Sequence, residues 1–93
     1  METILSSAPE QLRPFVSDGR ISAIPAKRAP RLLLLDQVAQ AFEPGLRYDE
    51  AAVNGVLKTV TNDHAGLRRS LVDEGFLSRT GDGTYWRSGG TAF

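Results

Sequence analysis

The stretch DEAAVNGVLKTVTNDHAGLRRSLVDEGFLSRTGDGTYWR, residues 49–87, decides the fold. Asp49 is a good N-cap, because a short side-chain oxygen accepts hydrogen bonds from the free amides of a first helical turn. Behind it, Val53, Val56, Leu57 and Val60 fall at i, i+3, i+4 and i+7, the spacing of a helix that buries one face. Thr61-Asn62 breaks that pattern, and either residue can cap a further helix running to about Glu74. Gly75 stands where a left-handed C′ residue is wanted, with Phe76 placed for the accompanying hydrophobic contact. Residues 76–79 and 84–87 then flank Gly81-Asp82-Gly83, a hairpin signal. Two helices joined by a break of three or four residues and followed at once by this hairpin give the order of a winged helix-turn-helix, its wing near residues 80–84. A plain bundle would need another helix where Phe76-Leu77 and Tyr85-Trp86 read as strand.

Upstream, Pro44-Gly45 stops a first core helix that starts near Pro30. Leu35, Val38, Ala39 and Phe42 form its stripe. Leu32 and Leu33 fall away from it, and are expected either beneath the N-terminal segment or in a dimer contact. Ser17-Asp18-Gly19 is turn chemistry. Residues 20–24 then alternate apolar and polar up to Pro25, which reads as a short strand able to pair with the wing hairpin. Ser7-Ala8-Pro9-Glu10 has the form of a capping box before a short helix with Leu12, Phe15 and Val16 on its apolar side. Pro14 removes a backbone donor there, so that helix is expected kinked or broken. The expectation is one α+β domain over residues 1–93, with an N-terminal extension (1–14), a core (15–87) and a frayed tail (88–93). It is a winged helix-turn-helix of three core helices and a C-terminal β-hairpin wing, preceded by a short N-terminal helix and strand.

Composition narrows the function classes. Ninety-three residues suffice for one domain, and 41% hydrophobic with 24% charged residues is an ordinary globular balance. Cysteine is absent, which removes disulfides, thiolate metal sites and cysteine nucleophiles together and fits a reducing, cytoplasmic setting. The longest apolar run, residues 32–35, is far short of the roughly 20 residues that span a bilayer, and residues 1–7 lack the form of a signal peptide. Eleven basic residues balance eleven acidic ones, so no general field draws the chain to phosphate. One stretch is biased: residues 20–35 hold Arg20, Lys27, Arg28 and Arg31 and no acid.

A set of residues across the chain also forms a known pattern. Asp18-Gly19-Arg20-Ile21, Ile24-Pro25-Ala26-Lys27, Tyr48 with Glu50 and Val53-Asn54, Asp63, Leu67-Arg68-Arg69, Leu71-Val72-Asp73 and Tyr85-Trp86-Arg87 resemble domain-of-unknown-function family 2087 over residues 15–87. The resemblance implies a bacterial winged-helix module, sometimes fused behind a repressor-type DNA-binding domain, and so a transcription-related role. Asp49 stands where the family often has Thr, which preserves a cap. Thr61 stands where a His is common, so a role for that His does not carry over.

On a wheel of about 100° per residue, Arg68 of the third helix falls in the apolar sector with Leu67, Leu71, His64 and Val72. It is expected to serve the fold, snorkelling or pairing with a carboxylate at the core edge. Arg69 falls on the outward face beside Asn62, Ala65, Gly66 and Asp73, a face of small residues that lets a groove approach closely. Asn62, Arg69 and Ser70 are therefore candidates for the major groove, with Arg79 and Arg87 gripping phosphate from the wing. Against this, Asp63, Asp73 and Glu74 on the same helix repel phosphate. Arg20, Lys27, Arg28 and Arg31 form a candidate anion site or basic arm; otherwise they pair with acids elsewhere. His64 is the single histidine, expected as a half-buried packing residue, and Asp36 is expected solvated. No metal site, cofactor or catalytic motif is expected, and the chain does not read as an enzyme. One of Tyr85 and Trp86 should join the core and the other stay partly exposed, since strand neighbours face opposite sides.

Three functions follow: a DNA-binding, transcription-regulatory module acting on double-stranded DNA; a protein-interaction or homodimerisation module using Leu32, Leu33 or the wing; and a sensor of a small anion. The third would use Lys27, Arg28 and Arg31.

Overall fold

The computed structural model of the chain describes Leu5 and residues 9–90. The Ser7 cap and the tail beyond Gly90 lie outside them. The described residues form an α+β fold of three α-helices, one 3-10 helix and two small antiparallel sheets. A 3-10 helix at Glu10–Phe15 carries Pro14 inside it. Where a kinked or broken helix was expected, the element is a short 3-10 helix that runs through Pro14 to Phe15. Leu12 from this turn is fully buried.

Helix α1 spans Arg28–Ala39, with Pro30 in its first turn. Helix α2 is Glu50–Leu57, and its Asp49 side chain accepts from Ala52 N at 2.7 Å. Helix α3 is His64–Asp73. The two apolar stripes meet in one core. Leu35, Val38, Ala39 and Phe42 are buried from α1 and the turn after it, as are Val53, Leu57 and Val60 from α2 and its continuation. Leu67 and Leu71 close it from α3, and Leu34 joins it as well. Each buried Leu, Val or Phe side chain contributes roughly 1.5–3 kcal/mol through water it no longer contacts.

Three details depart from the sequence expectation. The link between α2 and α3 runs through residues 58–63, longer than a break of three or four residues. Tight backbone bonds, Thr59 N to Val56 O and Val60 N to Leu57 O, continue the helical direction past Leu57 and so keep Val60 inside. The cap of α3 is Asp63, neither Thr61 nor Asn62; its side chain accepts from Gly66 N at 3.1 Å. Thr61 instead accepts from Asp63 N and sits nearly buried behind it.

The largest departure concerns the strand at residues 20–24. Strand β2, Arg20–Ile21, pairs only with β1, Val16–Ser17, across a turn in which Asp18 (φ 54°) and Gly19 (φ 75°) are both left-handed. Closing a loop that short costs little entropy, so the local partner wins over the distant hairpin. The third strand of the C-terminal sheet is β3, Arg47–Asp49, which lies beside β5, Thr84–Arg87, with β4, Leu77–Arg79, on its other side. The register sets Tyr48 and Arg79 opposite Tyr85, and Arg47 and Ser78 opposite Trp86. Strand alternation therefore gives the sheet two unlike faces. Tyr85 and Leu77 face the core, while Trp86 is half-buried on the far side with the Arg47 guanidinium 4.7 Å from its ring centre.

Helix α3 ends in a Schellman motif. Phe76 N bonds Leu71 O at 2.9 Å and Gly75 N bonds Val72 O at 3.1 Å, with Gly75 at φ +82°. The wing turn is held by Asp82, whose carboxylate accepts from the Thr80 hydroxyl and from Thr84 N. Those donors, the Thr80 hydroxyl first, lower the Asp82 pKa below the ordinary carboxylate value. Beyond β5, Ser88 N and Gly89 N both bond Phe76 O.

Two tests follow. A Cβ at Gly75 would meet nothing within 4 Å. Gly75→Ala should therefore cost only the left-handed backbone penalty, roughly 1–2 kcal/mol, seen as a lower urea midpoint at unchanged slope. Because the Asp82 pKa is lowered on folding, its contribution is present above the ordinary carboxylate pKa and lost as pH falls through the folded value. Thr80→Val should raise the Asp82 titration midpoint in a carboxyl NMR experiment; an unmoved midpoint refutes the hydroxyl as main cause.

Candidate functional site

The basic segment serves the fold first. Arg20 Nη1 donates to Lys58 O and Thr59 O at 3.1 and 3.2 Å, and Nη2 donates to Asn62 Oδ1 at 2.8 Å. These are the carbonyls of the C-cap of α2 and of the residue after it, so the cation sits at the negative end of the helix dipole. Ile21 N adds a bond to Val60 O at 2.7 Å. The first strand of the notionally free basic arm is thus a clasp on the α2–α3 link, and Asn62 is held by it.

Arg28 and Arg31 both converge on Glu74 at the C-terminal end of α3. Arg28 Nη1 lies 3.0 Å from Oε1, and Arg31 Nη2 lies 3.2 Å from Oε2. Arg31 also donates to Ala26 O at 2.9 Å. Lys27 is exposed as the N-cap position of α1. Among the sequence candidates, these four cations therefore do not form one patch. Arg20 sits at the start of α3, and Arg28 and Arg31 at its end.

The wing candidates divide as well. Arg87 shares the inward face of β5 with Tyr85, two residues away. Its Nε donates to Gly89 O at 3.0 Å and its Nη1 to Phe42 O at 3.2 Å, tying the sheet to the turn after α1. Arg79 is exposed at the end of edge strand β4, opposite Tyr85, with its guanidinium 5.7 Å from that ring. The same register that buries Tyr85 aims Arg79 toward α3.

On α3, the adjacent arginines part as the wheel implied. Arg68, 21% exposed, pairs with Glu50 at 3.7 Å and donates to Asn54 Oδ1. Glu50 also accepts from the Tyr85 hydroxyl at 3.1 Å, so α2, α3 and β5 share one polar junction. Arg69 is 85% exposed and, among the described residues, pairs with Asp73, four residues on, at 3.8 Å. Ser70 and His64 are half-buried, and so is Asp36, where a solvated carboxylate was expected.

Between α3 and the sheet these side chains enclose a groove of about 540 Å³. It is lined on α3 by Ala65, Gly66, Arg68, Arg69, Val72 and the acid Asp73, and on the sheet by Arg79 and Tyr85. Sequence reasoning found Arg69 and Arg79 but left out Arg68 and Tyr85 as lining residues. Their signal was available: a side chain at the edge of the apolar sector can serve core and groove together. Gly66 has a separate reason to be glycine, because a Cβ there would come within 2.3 Å of the capping Asp63 carboxylate.

Leu33 is 39% exposed and Leu32 half-buried, beside Ala29 and Phe76 in a second, shallower groove. Leu33 thus keeps an exposed surface, and the described residues 9–14 do not bury it. Among the described residues no cluster of His, Asp or Glu is arranged to hold a metal ion, and no helix is long and apolar enough to cross a membrane.

The different burial of the two arginines sets a stability contrast. Arg68→Ala removes the part-buried bond to Asn54 and the pair with Glu50, which keeps the Tyr85 hydroxyl, and should cost about 1–3 kcal/mol. Arg69→Ala breaks only an exposed i,i+4 pair and should stay within about 0.5 kcal/mol. Chemical denaturation of both variants checks this; equal effects would refute the division.

Comparison with known sequences adds one finding. Residues 20–87 match the family described as uncharacterized protein conserved in bacteria (DUF2087). No curated protein and no solved structure matches the chain.

Proposed function

The chain belongs to this bacterial family, and from that premise we propose that it is a winged-helix module that grips double-stranded DNA by its phosphates in a cytoplasmic, transcription-regulatory role. The element order supports the fold reading: three helices, a hairpin after the third, and a short strand before the second completing the sheet. In this reading α3 is the recognition helix and the β4–β5 hairpin the wing.

The observation that carries the proposal is the placement of Arg69 and Arg79, both exposed, on α3 and on the wing strand that faces it. Arg69 gives up little by leaving Asp73, because an exposed pair of this kind is worth at most about 1 kcal/mol. Among the described residues, Arg79 is held by its ring contact with Tyr85. A phosphodiester between helix and wing would meet two guanidinium forks, the geometry that suits phosphate oxygens. Ala65 and Gly66 keep the helix surface low beside them.

The balanced net charge supplies no long-range attraction, so binding has to come from these few contacts. Arg20, Arg28, Arg31 and Arg87 are engaged within the fold. Two phosphate contacts correspond to a log–log salt slope of about −1.8 for duplex DNA. Fluorescence anisotropy on a short mixed-sequence duplex should show a slope near that value, and Arg69→Ala or Arg79→Ala should each reduce it by about 0.9. Absence of duplex binding at low salt, or binding indifferent to salt, overturns the proposal.

A further inference from the structure

The groove between α3 and the sheet is larger than a phosphate contact needs. We propose that it is also a binding site for a small organic anion, a phosphate monoester with a compact planar or apolar body. Its cavity of about 540 Å³ falls in the range of small-molecule sites, roughly 300–1,000 Å³. A duplex backbone touching the lips would leave much of that space unfilled.

The lining has the two parts such a ligand requires. Three guanidinium groups line the groove, Arg68, Arg69 and Arg79, with a single carboxylate, Asp73. Among them Val72 supplies apolar surface, and the Tyr85 ring lies 5.7 Å from the Arg79 guanidinium. A bare inorganic anion uses only the guanidinium groups. A neutral apolar molecule uses none of them.

Arg68 gives the site a fixed element. Its guanidinium is held from behind by Asn54 and Glu50, so its orientation is set before a ligand arrives. A guanidinium carries five N–H groups, more than those two partners consume. Tyr85 is fixed likewise, buried to 1% with its hydroxyl on Glu50. Pre-set partners lower the ordering cost of binding. Arg69 and Arg79 are long and exposed, able to fold over a bound phosphoryl group.

The inference uses arginines that the DNA reading also uses, yet it stands without that reading; where both hold, the ester and the duplex compete. It also places the anion site away from Lys27, Arg28 and Arg31, the patch that the sequence suggested.

The test is an NMR titration of the amide shifts of the whole chain, in the absence of DNA, with phenyl phosphate and separately with inorganic phosphate. Phenyl phosphate should bind saturably, shift Gly66, Val72 and Tyr85, and bind more tightly than inorganic phosphate. Arg69→Gln and Arg79→Gln, both surface changes that leave the core intact, should each weaken it by about tenfold, one charge-assisted contact. Arg28→Gln should leave it unchanged. No saturation, equal affinity for the two probes, or full affinity in Arg79→Gln overturns the inference. Because no DNA is present, failure of duplex binding leaves this result standing. A chain that binds duplex but not phenyl phosphate overturns the small-ligand site alone.

Discussion

Tyr85 is the joint on which the rest of the structure turns. It lies on the central strand of the three-stranded sheet, opposite Tyr48 on one side and Arg79 on the other. Its ring is buried, and its hydroxyl reaches Glu50 in the first turn of α2. Glu50 in turn pairs with Arg68 of α3. A buried phenol needs a partner for its hydroxyl, and meeting that need here locks sheet, second helix and third helix into one relation. The groove is the space left beside that joint.

A neutral protein of this size has few cations to spare, and the fold takes most of those near the core. Arg20 closes the α2–α3 link, Arg31 and Arg28 cap the end of α3 through Glu74, Arg87 ties the sheet to the turn after α1, and Arg68 completes the Tyr85 junction. Arg69 and Arg79 make the lightest contacts of the groove cations, an exposed ion pair and a ring contact. Position on the helix wheel and on the strand register separates the two groups. Adjacent arginines on α3 have different work because they point in different directions, whereas Arg79 and Arg87 share a face of the wing and differ in their place along it.

Some of the site could be read before the structure. The division between Arg68 and Arg69 follows from the helical period, and the burial of one of Tyr85 and Trp86 follows from the strand period. Once Tyr85 is inward, Arg87 must share its face, two residues on, so its engagement with Phe42 O was implicit in the same alternation. Glu74 was not legible as a hub. The absence of acid in residues 20–35 says that those cations need partners, but not which acids supply them. Strand β3 was missed because three residues are too few to display a period.

What the sequence by itself determined is the local chemistry: two apolar stripes, an Asp49 cap, a Gly75 stop and a glycine-marked hairpin, each set by interactions within a few residues. These predict α-helices, a hairpin and the inward side chains correctly because period and capping are short-range constraints. Tertiary structure decided the pairings. It placed Arg20–Ile21 against Val16–Ser17, brought Arg47–Asp49 to the sheet, and gathered Arg68, Arg69 and Arg79 around one groove. Those outcomes depend on which distant surfaces pack together, and the balance of loop entropy and burial that selects among them is not written in any single segment.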